Sequence, residues 1–164
     1  MRADQNGPNT QVEIQDVSVP KPVLLKPRVT GLCMSDIPSM RNDWNIKPLS
    51  MFGVKCAGHE GAAVVVKSDA DVQNWKFSNR GGIKPLLDFC CACELCCDGK
   101  DNYCQKGGNA GLAATGSHRQ YIVSPAKFLT LIPDIVIAHV AGPIMCSAST
   151  MHRAFIDAFP KVGQ

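Results

Sequence analysis

The chain has 164 residues, the size of one domain that can bury a core of its own. Its 17 lysines and arginines and 14 aspartates and glutamates give a formal net charge of +3, too small and too scattered for a nucleic-acid-binding protein. We find neither a secretory leader nor the run of roughly 18 apolar residues that a membrane span needs, so we expect a cytoplasmic protein whose nine cysteines serve metal rather than disulfides.

The predicted elements are mostly short strands, because 14 glycines and 11 prolines indicate a turn-rich body. After a loose tail at 1–10, strands are predicted over 12–17, 23–29, 61–66, 117–123 and 128–132. Pro27 lies within the second of these segments and predicts an edge strand or a bulged strand there. Such a series of short strands and turns predicts a partly closed β-barrel over residues 11–142.

Residues 143–164 have a helical pattern instead. Pro143 suits the first turn of a helix, and Pro160 with Gly163 would end it. This helix closes the β domain, and we expect it to be a connector as much as a core element. Unless its apolar side folds back or pairs with a partner, it forms an exposed patch, and we expect homo-oligomers or other self-association through the stripe Ala148, Met151, Phe155 and Phe159.

Six cysteines fall between residues 90 and 104. Four of them have the spacing C-x2-C-x2-C-x7-C, which is typical of a loop that wraps one tetrahedral Zn²⁺: Cys90, Cys93, Cys96 and Cys104. A bacterial iron–sulfur pattern would close with a shorter gap and a proline, so zinc is favoured. Cys91 and Cys97 remain alternative ligands, and a metal-free cluster of redox-active thiols is a further alternative. Because four thiolates leave no open position, this zinc would be structural.

Three other segments carry potential ligands, and each alone is more often part of a core. They read GLCMSD over 31–36, GHEG over 58–61 and PIMC over 143–146. In this order around the cysteine loop, they resemble the zinc-dependent medium-chain alcohol dehydrogenases of the yeast and fungal type, over about residues 11–164. The resemblance implies a mainly β, GroES-like, partly open barrel with short helices and a connector helix. A Rossmann domain is expected to be absent, since no G-x-G-x-x-G follows a strand here.

The resemblance also implies a second zinc, held by Cys33, His59 and Cys146. Two thiolates and one imidazole leave the fourth position open to water or alcohol, as in catalytic zinc sites. The chain would therefore carry two zinc ions. The coenzyme of the family is NAD, and the metal acts as a Lewis acid on the alcohol oxygen.

Five more residues receive roles from the same resemblance. Ser35 would take the alcohol proton, Asp36 would orient the zinc-bound imidazole, and Glu60 would be the acidic residue behind the zinc. Trp44 would line the substrate pocket or simply pack. Thr150, one helical turn after the last ligand, would touch the nicotinamide.

These matches predict the zinc-binding catalytic domain of an NAD-dependent alcohol dehydrogenase that converts a small alcohol to an aldehyde or ketone. Without a nucleotide-binding half, we expect no turnover by this chain alone. The alternative is a non-catalytic, zinc-stabilised binding or structural module of the same fold. A quinone or enoyl reductase is less favoured, since those relatives typically lack the cysteine loop. We expect no nucleic-acid or membrane partner.

Overall fold

The computed structural model describes residues 2–3, 12–13, 23–45, 51 and 53–158. Strands β1 (Arg2–Ala3) and β2 (Val12–Glu13) pair antiparallel, and the remainder of the predicted tail and of the predicted strand 12–17 lies outside the described residues. Phe159, Pro160 and Gly163, the predicted end of the helix, also lie outside them.

The body of the molecule is an antiparallel five-stranded sheet with a smaller ladder beside it. In chain order the strands are β3 (Val23–Thr30), β4 (Gly61–Ser68), β5 (Arg80–Ile83), β6 (Leu86–Asp88), β7 (Gly108–Asn109), β8 (Ile122–Ser124) and β9 (Thr130–Leu131). The sheet order is β8-β3-β4-β5-β9, and β6 pairs with β7. This mainly β half-barrel with short helices confirms the predicted fold class.

Pro27 lies in β3, where the register against β4 shifts between Pro27 and Val29. A proline has no N–H for a ladder hydrogen bond, so it is tolerated where a strand is bulged or unpaired. Strand β8 pairs with Val23–Leu25, and among the described residues no strand pairs with the proline half of β3 on that side. The predicted bulge is confirmed.

The core lies on the inner face of this sheet. Alternate residues of β3 and β4 are fully buried, and they meet one residue each from β5 and β8: Val23, Leu25, Val65, Ile83 and Ile122. Burial of a side chain of this size stabilises the fold by about 2 kcal/mol relative to its exposure. The sheet is therefore a firm support for the loops that leave its edges.

The helices lie in the connections and at the end of the described chain. They are α1 (Asp36–Arg41), α2 (Glu94–Cys97), α3 (Ala138–Pro143), a wider π-helical turn (Ile144–Ala148) and α4 (Ser149–Asp157). The last three form one continuous helical segment. None of the helices in the described part of the chain combines the length and the apolar character required to cross a membrane.

The terminal helix begins at Ala138, not at Pro143 as the sequence pattern predicted. Proline lacks the N–H that an α-helix uses, and the segment passes this point by widening into the π turn. The hydroxyls of Ser147 and Ser149 donate to the carbonyls of Pro143 and Ile144 at 2.9 and 3.0 Å. Side chains thus satisfy carbonyl groups in the widened turn.

The strands predicted over 117–123 and 128–132 are shorter than expected. The N–H groups of Gly116, Ser117 and His118 donate to the carbonyls of residues 56–58 at 2.7 to 3.0 Å, and so take no part in the sheet. This segment instead wraps the chain that leads into β4.

Candidate metal centres

The four cysteines of the C-x2-C-x2-C-x7-C pattern bring their sulfur atoms together. The Sγ–Sγ distances are 3.9 Å for Cys90–Cys96, 3.5 Å for Cys93–Cys96, 4.0 Å for Cys93–Cys104 and 3.6 Å for Cys104–Cys90. Two thiolates bound to one tetrahedral Zn²⁺ at 2.3 Å lie about 3.8 Å apart. The four sulfurs therefore have the spacing that a single zinc ion requires.

The protonation of these thiols also suits a cation. Backbone N–H groups of Ala92 and Cys93 lower the pKa of Cys90 to about 6. Desolvation, followed by the neighbouring thiols Cys93 and Cys104, raises the pKa of Cys96 to about 12. The Cys90 thiolate thus forms readily while the Cys96 thiol resists ionisation, and a divalent cation would favour the thiolate of Cys96 as well.

Three of the other cysteines, Cys56, Cys91 and Cys97, belong neither to this four-sulfur cluster nor to the second cluster described below. Cys91 has a left-handed backbone, with a φ of 55°, and its exposed Sγ meets the Nζ of Lys127 at 2.9 Å. Cys97 is exposed on α2. Cys56 is buried, and its thiol donates to the carbonyl of Ala57 at 3.3 Å. Neither Cys91 nor Cys97, the alternative ligands, joins the four converging sulfurs.

A second cluster joins residues that lie far apart in the sequence. The ligand atoms of Cys33, His59, Glu60 and Cys146 all lie within 4.8 Å of one another. Cys33 lies in the loop after β3, His59 and Glu60 directly precede β4, and Cys146 lies in the π turn. The loop after β3, the entry to β4 and the terminal helix together build this site, which could hold a metal ion.

Asp36 organises the second cluster from behind. Its Oδ1 lies 3.1 Å from the Nδ1 of His59, and its Oδ2 accepts a hydrogen bond from the backbone N–H of Cys33 at 3.0 Å. With Nδ1 engaged in this way, Nε2 of His59 is left for a metal. The carboxylate is 2% exposed. It therefore fixes one ligand side chain and the backbone of another.

The pKa shifts of Asp36 and His59 follow from their hydrogen-bonded and charged neighbours, whose combined effect outweighs that of burial. Burial alone would raise the pKa of Asp36, but the imidazoles of His118 and His59 hold it well below its usual range. The hydrogen bond to Asp36 raises the pKa of His59 to about 9, against the opposing effect of burial. Both shifts favour the carboxylate form of Asp36 and the imidazolium form of His59.

The two thiols of the cluster differ strongly. The Ser35 hydroxyl donates to the Sγ of Cys33 at 3.2 Å and lowers the pKa of that thiol. Burial, then the nearby Cys33 and Glu60, raises the pKa of Cys146 to about 12, and burial raises the pKa of Glu60. A divalent cation would favour the ionised form of all of them. The donor set therefore fits a metal ion of the zinc type.

Glycines make room for these side chains. A Cβ on Gly31 would overlap the carboxylate of Glu60. Gly58, directly before His59, has a φ of +95°, and a Cβ there would meet Ser117 Oγ at 2.8 Å. Substitution of Gly31 would therefore displace the Glu60 side chain of the cluster, whereas substitution of Gly58 would strain the backbone directly before His59 and displace the Ser117 side chain.

Two of the residues with predicted roles, Trp44 and Thr150, neither belong to a cluster nor make a described hydrogen bond with one. Trp44 follows α1 and is 50% exposed, and Thr150 is exposed on α4, one turn beyond Cys146. Their roles as substrate wall and nicotinamide contact remain predictions.

Sequence reasoning missed His118. Its Nε2 lies 3.8 Å from the Oδ2 of Asp36 and, although buried, has no hydrogen-bond partner within the described residues. The available signal was its place directly after Gly116–Ser117, a segment that sequence analysis treated as a strand.

A family model and known proteins match most of the chain. The family model described as "Alcohol dehydrogenase GroES-like domain" matches residues 19–134. An alcohol dehydrogenase of Schizosaccharomyces pombe is 34% identical over 96% of this chain, which corresponds to 45% of that protein.

Solved structures resemble the chain as well. A cinnamyl alcohol dehydrogenase of Sorghum bicolor matches 90% of this chain and 45% of its own with a TM-score of 0.79 and 22% identity, which shows the fold alone. An alcohol dehydrogenase of Escherichia coli, solved with NADH, matches 82% of this chain and 39% of its own with a TM-score of 0.70 and 28% identity. The chain spans less than half the length of each of these relatives.

Proposed function

Because the chain belongs to the family of alcohol dehydrogenase GroES-like domains, we propose that it is the zinc-binding catalytic part of an NAD-dependent alcohol dehydrogenase. One observation carries this proposal above the others. The ligand atoms of Cys33, His59 and Cys146 converge, and Asp36 is hydrogen-bonded behind the imidazole. The carboxylate–imidazole–metal arrangement is a common way of orienting a catalytic zinc ligand.

Each residue at this site would have a separate role. Cys33, His59 and Cys146 hold the ion, which when bound supplies a Lewis acid for an alcohol oxygen. Asp36 keeps the imidazole of His59 in the orientation that directs Nε2 to the ion. Ser35, whose hydroxyl lies beside the Cys33 sulfur, is the group we assign to receive the proton of the alcohol.

Substrate and coenzyme follow from the family. We assign a small alcohol and its aldehyde or ketone as substrates and NAD as coenzyme, with Trp44 as part of the substrate wall and Thr150 at the nicotinamide. The loop of Cys90, Cys93, Cys96 and Cys104 would hold the second, structural zinc. Since the chain spans 45% of its fungal relative, we expect turnover only together with the remainder of such an enzyme.

The position of Glu60 supports a second candidate, a non-catalytic module with two structural zinc ions. Its carboxylate belongs to the same cluster as the three proposed ligands. Four protein ligands would complete the tetrahedral coordination of the ion and leave no coordination position for a substrate. In the catalytic proposal, Glu60 lies behind the ion and leaves that position open.

Metal analysis tests the ligand sets directly. The purified chain should bind about two zinc ions, and Cys33→Ser and Cys93→Ser should each lose a different one. Cys97→Ser is the matched control, since that thiol is exposed and outside both clusters, and it should retain both ions. Retention of two ions by Cys33→Ser would reject the catalytic site.

Cobalt substitution separates the two candidate functions. With Co²⁺ in the cluster of Cys33, His59 and Cys146, added imidazole should shift the visible absorption bands if a coordination position is open. If imidazole leaves the spectrum of the wild-type chain unchanged but shifts that of Glu60→Ala, the non-catalytic module is favoured.

A further inference from the structure

Cys91 and Lys127 form a contact that neither metal centre uses. The Sγ of Cys91 lies 2.9 Å from the Nζ of Lys127, although the two residues are far apart in the chain. Both side chains are exposed, so a small reagent in solution can reach them. Cys91 has a left-handed backbone, and its side chain lies outside the neighbouring four-sulfur cluster.

Contacts between neighbouring residues hold together the two segments that carry Cys91 and Lys127. The rings of Phe89 and Phe128, which are near neighbours of the pair in sequence, pack edge to face with centroids 4.5 Å apart. The Nε1–H of Trp75 donates to the carbonyl of Ala126 at 2.9 Å and holds the turn that carries Lys127. The ammonium of Lys127 also lies 5.3 Å from the centre of the Phe128 ring. The cysteine loop and this turn are therefore docked at the point where the two side chains meet.

We propose that Cys91 and Lys127 are the two halves of an oxidation-dependent covalent cross-link, a sulfenamide that joins Sγ to Nζ. Hydrogen peroxide first converts the thiol to a sulfenic acid and releases one water. The ammonium of Lys127 releases one proton to solvent, and the resulting amine attacks the sulfur. A sulfur–nitrogen bond forms, the sulfur–oxygen bond breaks, and hydroxide leaves with a proton from nitrogen as a second water. Sulfur loses two electrons overall, and one peroxide is reduced to two waters.

The consequence is a covalent bond between the cysteine loop and the turn between β8 and β9. Cys91 is the residue for this role because the sulfurs of Cys90 and Cys93 converge on the metal position. A thiol reductant would reverse the bond, as it does other sulfur–nitrogen caps of this kind.

Intact mass and peptide mapping test the cross-link on the zinc-loaded chain treated with a small excess of peroxide. We expect the mass to fall by about 2 units, the loss of two hydrogens. A tryptic digest should join the peptide of residues 81–100 to a peptide in which Lys127 is uncleaved, and dithiothreitol should restore both. A mass decrease that maps to a cysteine–cysteine pair would overturn the proposal, as would a bridge that retains an oxygen.

Matched variants distinguish the reactive amine of Lys127 from its positive charge. Lys127→Arg keeps a cation beside the sulfur but should form no cross-link, and its Cys91 should then be labelled by dimedone as a sulfenic acid. Cys91→Gly, which suits the left-handed backbone, should also lose the cross-link, and Cys97→Ser should keep it. A cross-linked species that persists in Lys127→Arg would refute the assignment of Lys127.

Discussion

The Asp36–His59 pair permits a quantitative test through Asp36→Asn. The pKa of His59 is raised from its usual 6.5 to about 9 by this carboxylate, with its side chain only 10% exposed. A difference of this size corresponds to about 3 kcal/mol between the two protonation states, since one pKa unit is 1.36 kcal/mol. An asparagine keeps the shape but removes the charge and one of the two acceptor oxygens.

The sign of the effect follows from the direction of the shift. A raised pKa in the folded state adds stability below the unfolded value of 6.5, and this stability is lost as the pH rises through about 9. Asp36→Asn should therefore reduce the free energy of unfolding by about 3 kcal/mol at pH 6. At pH 10, where His59 is neutral in both states, only the hydrogen bonds are lost, at a cost of about 1 kcal/mol.

The assay is urea unfolding of protein that retains the ion in the four-cysteine loop after a chelator has emptied the second site. The imidazole C–H resonances of His59 report its pKa in the same samples. Asp71→Asn, at an exposed acid, is the control and should change neither quantity. A pKa of His59 that stays near 9 in Asp36→Asn, or an equal loss of stability at both pH values, would refute this reasoning.

Three further predictions concern other parts of the molecule. Gly116→Ala would drive its Cβ into the backbone carbonyls of Ala57 and Gly58, which cannot swing aside, and should lower the free energy of urea unfolding by about 3 kcal/mol. Gly99→Ala, with a φ of +70° but open space, should cost only about 1 kcal/mol, and the reverse order would contradict the steric argument. Ser35→Ala should raise the pKa of the Cys33 thiol towards its usual 9.0, seen as a shift in the pH dependence of its alkylation once the metal is removed; an unshifted profile would show that the hydroxyl is irrelevant. Met151 and Phe155 are 70% and 64% exposed on α4, so the mass from light scattering should rise with concentration and return to that of a monomer in Met151→Glu/Phe155→Glu. A concentration-independent monomeric wild type would exclude self-association.

The sequence was most informative where the geometry is local. The spacing of the four cysteines determines which sulfurs can reach one ion, and only Cys91 and Cys97 left the choice open. The bulge at Pro27 was equally predictable, since a missing N–H has the same consequence in any ladder.

Elements that depend on distant partners were less predictable. The segment after Gly116 has strand-like residues, but its N–H groups bond to the chain around Ala57, which no local pattern reveals. Strand β5 contains Gly81 and Gly82, poor strand formers on propensity alone, and they are accommodated because Leu129 and Met145 occupy the space of a Cβ. His118 owes its place beside Asp36 to the same long-range wrapping.

The position of Cys146 on the terminal helix makes the two metal centres unequal during partial unfolding. The four-cysteine loop closes within residues 90–104 and would need only local chain to keep an ion. The other cluster requires the loop after β3, the entry to β4 and a docked helix at the same time, a set of contacts with high sequence separation. If the helix detaches from Ala62 and Ile132, Cys146 leaves with it, so metal occupancy of that cluster would report the docking of the helix, while the four-cysteine loop would keep an ion.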